Sequence, residues 1–296
     1  MKRWLIRIGV ALAAVVALLA IGVGVAIATS NSRLEQRYEV ASVSFEAVTD
    51  PAGIAEGERL YRSRGCGDCH GDRGEGRVVI DDVPGRFVGT NLTALSSDYT
   101  DEALVRAIRD GIAPDGRALV FMPSHEFHGF SDGDVGAIVA FVRTLPRVES
   151  DLPTNEVRPL GNLLHFAGLF PLLSAEKIDH AAPRRPAPAV APTAEYGRYL
   201  AAGCTGCHGE GLSGGSIPGA PPELGVPANI TPHESGLRDW SEADFVRVMR
   251  EGIRPDGRRI DPKQMPWLAL RHMNDVELAA LFAYLKTVPA RPAGER

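Results

Sequence analysis

Residues 8–28 form a run of 21 positions without a charged side chain, behind Lys2, Arg3 and Arg7. As a helix rising about 1.5 Å per residue, such a run spans about 31 Å, roughly the hydrocarbon thickness of a bilayer. A retained anchor is one reading, and a cleaved signal peptide ending at Ala26-Ile27-Ala28 is the other. Signal sequences usually carry a shorter apolar stretch, about 7–15 residues, which favours the anchor. With its positive flank held in the cytoplasm, everything after Thr29 is exported. A bacterial inner membrane with the folded part in the periplasm is the expected location.

Beyond the run, apolar positions recur at helical spacing. Short helices are expected over 53–64 and 194–202. Middle helices start near Thr100 and Ser241 and end at Gly111 and Gly252, as helices often end at glycine. Last helices start near Ser131 and Asn274, each with an acidic residue three positions on, Asp134 and Glu277. Their apolar faces are Val135, Ile138, Val139 and Val142 in one case, and Val276, Leu278, Leu281, Phe282 and Leu285 in the other. Pro146 and Pro289 stop them. The glycine- and proline-rich stretches ahead of the middle helices have no sustained period and read as wrapping loops. The pattern predicts an all-α chain.

These elements belong to a repeat. Cys66-Gly67-Asp68-Cys69-His70-Gly71 returns as Cys204-Thr205-Gly206-Cys207-His208-Gly209, an offset of 138. Gly89-Thr90-Asn91-Leu92-Thr93 returns at the same offset as Pro227-Ala228-Asn229-Ile230-Thr231. Pro114-Asp115-Gly116-Arg117 matches Pro255-Asp256-Gly257-Arg258 at 141, and Met122-Pro123 matches Met265-Pro266 at 143. The organisation expected is an anchor over 1–29, a polar stalk over 30–49, a first domain over 50–150, a linker over 151–192 and a second domain over 193–296. In the linker, 160–173 is apolar enough to dock on something, and 182–192 reads as an extended proline- and alanine-rich spacer.

The composition is that of a folded protein, 44% hydrophobic and 23% charged, which excludes wholesale disorder. A net charge of −5 argues against a basic nucleic-acid-binding surface. All four cysteines lie in the two C-x-x-C-H motifs. Two thiols three residues apart on one helical turn can each bond a haem vinyl group, and the next histidine then reaches the iron. Zinc needs four ligands and each motif supplies three. A redox dithiol belongs in a βαβ context that the pattern lacks. Two covalent c-type haems are therefore expected, with Cys66, Cys69, Cys204 and Cys207 as attachment points and His70 and His208 on the irons.

The sixth ligand follows from the repeat. Among five methionines, Met122 and Met265 alone match each other. Met249 aligns with Ile108 and Met273 with Phe130, positions that ask only for bulk. His125 and His128 have no matching ligand in the second unit, though either could replace Met122. Arg117 and Arg258, and Asn91 and Asn229, are candidates for haem propionates or for fixing turns.

On these residues both units resemble class I cytochrome c domains, a small all-helical fold around one haem. Residues 228–232, Trp240-Ser241 and Gln264-Met265-Pro266 are similar to the cytochrome subunits of membrane-bound bacterial alcohol, aldehyde and sugar dehydrogenases. Residues 172–180 resemble a linker of related two-haem chains. Those dehydrogenase subunits generally carry three haems, whereas this chain has two motifs. The resemblance implies a respiratory electron carrier. Its redox partners would be a dehydrogenase subunit, a quinol-oxidising complex, a terminal oxidase or a small cytochrome, with the membrane reached through the N-terminal helix. An iron bound by His and Met has no open position, which favours carrying over catalysis. A di-haem enzyme, peroxidase-like or thiosulfate dehydrogenase-like, is the alternative.

Overall fold

The computed structural model describes residues 2–40, 45, 47–182, 186–217, 220 and 222–296. Helix α1 (Lys2–Leu34) is the one described helix long and apolar enough to cross a membrane. It is followed by α2 (Pro51–Ser63), α3 (Cys66–His70), strands β1 (Arg77–Asp82) and β2 (Gly85–Gly89), α4 (Asp101–Asp110), α5 (Ser124–Phe127) and α6 (Asp132–Thr144). Then come β3 (Glu156–Val157), α7 (Pro159–Phe166), α8 (Ala194–Leu200), α9 (Thr205–His208), α10 (Glu242–Glu251), α11 (Trp267–Leu270) and α12 (Asp275–Leu285).

The helix ends follow their capping residues. Thr100 and Ser131 accept from backbone N–H groups at the starts of α4 and α6. Ser241 and Asn274 form reciprocal capping boxes with Asp244 and Glu277. Each box satisfies two N–H groups that a helix start leaves without intrahelical partners. The middle helices stop at Gly111 and Gly252, both in the left-handed region.

Two helix crossings organise the molecule: α2 packs on α6, and α8 on α12. The crossings are close because glycine lies at each. A Cβ on Gly57 would come within 1.9 Å of the Ala137 carbonyl oxygen, and one on Gly197 within 1.9 Å of that of Ala280. Val135, Ile138, Val139 and Val142 are buried in the first repeat unit, whose core is taken together as the first cluster, and Leu278, Leu281 and Leu285 in the core of the second unit, the second cluster. Val276, expected on the apolar face, is exposed instead. It sits in the first turn of α12, between the capping residue Asn274 and Glu277.

The chain is not wholly helical. β1, β2 and β3 form a small antiparallel sheet in that order, with Val78 opposite Val88, Ile80 opposite Phe87, and Val79 left over as a bulge. This stretch reads as loop in sequence because each strand is too short to establish a period. Its Val-Val-Ile and Phe-Val content nevertheless favours a pleated, half-buried surface. The Phe87 ring lies 4.8 Å from that of Phe121 and 5.4 Å from that of Phe170.

The segment expected as a polar stalk begins inside α1, which continues to Leu34. The Tyr38 N–H then donates to the Gly116 carbonyl at 2.8 Å, so 35–40 runs along the first cluster. Residues 41–44 and 46 of the expected stalk, and 183–185 of the expected spacer, lie outside the described residues. The apolar linker does dock: Leu172 and Leu173 are buried with Phe87, Ile112 and Ala118.

Candidate haem sites

In each C-x-x-C-H motif a short helix presents the histidine, then stops at a glycine: Gly71 (φ 80°) or Gly209 (φ 79°). Only glycine takes that left-handed turn without strain. His70 Nδ1 lies 2.9 Å from the Thr90 carbonyl oxygen, and His208 Nδ1 lies 2.7 Å from that of Ala228. A carbonyl only accepts, so Nδ1 carries the proton and Nε2 keeps its lone pair for a metal. Thr90 and Ala228 occupy matching positions of the repeat, and neither was singled out in the sequence. Burial lowers the pKa of both imidazoles, which keeps them neutral.

Around the first motif the structure opens a cavity with about 1010 Å³ of atom-free space, part of it open to solvent. Cys66, Cys69, His70 and Met122 all line it. Its walls are mainly apolar, with Leu104 and Ile108 from α4, Ile138 and Val142 from α6, and Val79 and Val88 from the hairpin. The bulge residue Val79 therefore belongs to the site. Strand β2 approaches so closely that a Cβ on Gly89 would lie 2.0 Å from the Cys69 carbonyl oxygen. A large, mostly apolar cleft with two thiols, an imidazole and a thioether on its wall fits a covalently attached haem.

Burial pushes the Cys66 and Cys204 thiols up to about 12 and raises those of Cys69 and Cys207. A redox dithiol needs the opposite shift. Among the described residues no three His, Cys, Asp or Glu side chains converge into a group that could hold a metal ion.

The remaining candidates separate cleanly. His125 Nδ1 lies 2.9 Å from Ser174 Oγ, and His128 Nδ1 lies 3.2 Å from the Arg109 carbonyl oxygen and 3.5 Å from Asp110. Neither lines the cavity. In the second cluster Met265 is half-buried and, with Cys204, packs on the core formed by Leu278, Leu281 and their neighbours. Met249 and Met273 are buried within that core. Asn91 Oδ1 accepts from the Thr93 N–H, while its Nδ2 donates to the Val148 carbonyl and Ser150 Oγ, both at 2.8 Å. Asn229 repeats this with Thr231, Arg291 and Ser235. These asparagines fix turns and tie down the chain that follows each last helix. Arg117 and Arg258 pair with Asp115 and Asp256 at 2.7 and 2.8 Å on exposed turns.

Residues 194–289 match the family model for cytochrome c, and residues 52–142 match that for cytochrome c oxidase, cbb3-type, subunit III. The chain carries cytochrome c domains. Among relatives of this cytochrome c chain, the cytochrome c subunit of alcohol dehydrogenase (quinone) from Gluconobacter oxydans is 28% identical, over 89% of this chain and 63% of that subunit. A diheme cytochrome c-type protein of Cereibacter sphaeroides is 29% identical, over 83% of this chain and 88% of its own. One of the subunits of nicotinate dehydrogenase from Pseudomonas putida is 42% identical over 98 residues, 31% of this chain and 8% of its own length. The match thus spans less than two thirds of the two dehydrogenase subunits.

Proposed function

We propose that this cytochrome c chain is a membrane-anchored, periplasmic di-haem protein of two tandem class I domains, 50–150 and 193–296. It relays electrons between a dehydrogenase or quinol-oxidising donor and a terminal acceptor of a respiratory chain. The observation that carries the reading is the gathering of Cys66, Cys69, His70 and Met122 around one apolar cavity. The matching Nδ1 bonds of His70 and His208 extend it to the second motif. A c-type haem supplies a one-electron centre when bound. The chain's own residues do the rest. Cys66 and Cys69, and Cys204 and Cys207, are the thioether anchors, and His70 and His208 offer Nε2 to the iron. Met122 and Met265 would each offer a thioether sulfur to the same irons, a donor set that suits electron carrying rather than substrate binding. The mainly apolar walls of the first cavity would limit the water around its centre. The relatives named as dehydrogenase cytochrome subunits support a dehydrogenase as donor.

The test is covalent haem stoichiometry. Two haems per chain should survive denaturation, because thioethers persist in the unfolded protein. Cys66→Ala with Cys69→Ala should leave one. A count still at two in that variant would remove the first site from the proposal.

A further inference from the structure

The apolar linker segment has a surface that electron carrying does not use. From Pro159 to Leu173 there is no Asp, Glu, Lys or Arg. Helix α7, at the start of this stretch, packs against the C-terminal end of α1. Ser30 of α1 is fully buried there and meets Asn162 Oδ1 at 2.7 Å and His165 Nδ1 at 2.9 Å. Arg33 pairs with Glu176 just beyond. On α7 the buried residues are Gly161, Asn162 and His165. The side turned away carries exposed Leu160, Phe166 and Ala167 with half-buried Leu163 and Leu164, and exposed Leu169 follows. The β1–β2 turn adds exposed Val83 beside α7, where the Pro84 carbonyl accepts from the Arg158 N–H at 3.1 Å. A soluble surface gains nothing from a charge-free apolar helix face of this kind.

Its height relative to the membrane decides what covers it. The apolar run of α1 ends at Ala28, and Ser30 lies only about 3 Å further along the helix axis. The head-group layer on each side of a bilayer is roughly 5–7 Å thick. Ala26, still inside the apolar run, is itself buried. The α7 contact thus falls within the head-group layer and the edge of the hydrocarbon.

We propose that residues 159–169 form an interfacial segment that lies in the lipid head-group layer beside α1, with Leu160, Phe166 and Leu169 facing the acyl chains. Segments of this type sink roughly 5–10 Å into the head-group and acyl boundary. The first haem cavity is thereby held close to the membrane surface rather than swinging on a stalk. This rests on α1 being a retained anchor.

The experiment uses the full chain in phosphatidylcholine vesicles. Single cysteines are introduced by Leu160→Cys and Phe166→Cys, with Leu18→Cys in α1 and Leu268→Cys in α11 as references, and each is spin-labelled. An unchanged haem spectrum verifies folding. Collisions with oxygen report lipid, and collisions with a water-soluble nickel chelate report solvent. Labels at 160 and 166 should favour oxygen, as at 18, whereas the label at 268 should favour the chelate. Chelate-dominated collisions at 160 and 166, with 18 in lipid, overturn the interfacial segment alone. Shielding from both reagents means a protein covers the face and likewise overturns it. Chelate access at 18 overturns the anchor, and the segment with it.

Discussion

The four methionines of the repeat show how alike side chains take different roles. Met249 and Met273 are buried within the second core, whereas Met122 lines the cavity and Met265 is only half-buried at a core edge. A thioether facing an open cleft is available to a metal, and one packed on all sides is gap-filler. Met265 matches Met122 in the repeat, so on the proposed ligand set Met265→Ala should leave one haem iron open to water and carbon monoxide, with loss of one methionine-to-iron charge-transfer band. Met249→Leu should keep both bands. Magnetic circular dichroism of the oxidised protein checks both variants, and the reverse result would exchange the roles of Met249 and Met265. At the same scale, the His70 and His208 protons are placed by backbone carbonyls rather than side chains. That is why Thr90 and Ala228 can differ and still do the same work.

At the scale of elements, the two helix crossings set the positions of the motifs. Helices α2 and α8 feed directly into the attachment turns, so any shift of either helix moves a cysteine pair. Gly57 and Gly197 allow backbone-to-backbone approach at these crossings, and an added Cβ meets a carbonyl carbon as well as its oxygen, within 2.5 and 2.6 Å. Backbone cannot yield as a flexible side chain can. Gly197→Ala should destabilise the second cluster by about 3 kcal/mol, the upper end for overpacking. Urea unfolding monitored at the haem absorbance should show it, while Gly203→Ala, which has open space around it, should be close to neutral. An unshifted midpoint in Gly197→Ala would mean that the crossing is looser than the structure has it.

At the scale of the whole molecule, the two clusters grip each other reciprocally. Glu277, at the third position of α12, is fully buried and held by Arg59 at 2.5 Å and Arg64 at 2.8 Å from the first cluster. Its repeat counterpart Asp134, at the third position of α6, accepts from the Tyr199 hydroxyl of the second. Arg59 and Tyr199 are themselves counterparts, at the same offset of 140 as Gly57 and Gly197. Each last helix is thus clasped by the first helix of the other copy, an approximate two-fold relation like that of an isologous dimer. Glu126 extends the contact toward the second motif. A Cβ on Gly206 would lie 2.1 Å from its Oε1, and burial pushes its carboxyl up to about 7. Removing one partner of a buried ion pair leaves the other charge uncompensated, at about 3–5 kcal/mol. Glu277→Ala should cost that much, part of it through the lost cap of α12. It should also split unfolding into two transitions, followed by the haem spectrum against urea. A single unshifted transition would show that the clasp does not couple the clusters.

The haem motifs, the repeat, the capped helix ends and the apolar run of α1 were legible in the sequence, because each is written in residues close together along the chain. Covalent attachment needs cysteines three apart, a cap needs a polar side chain three positions from its N–H, and a bilayer span needs length. Met122 and Met265 stand out as candidates only because the chain is duplicated, so that one copy can be read against the other. The hairpin was not legible, since strands of five and six residues owe their stability to pairing across the turn rather than to period. Nor were Gly57 and Gly197, whose role exists only where another helix's backbone passes. The clasp of Glu277, the docking of α7 on α1 and the Nδ1 partners of the histidines join residues from 20 to more than 200 positions apart. Such contacts depend on which surfaces meet after the helices pack, and packing in space is what the order of residues alone does not state.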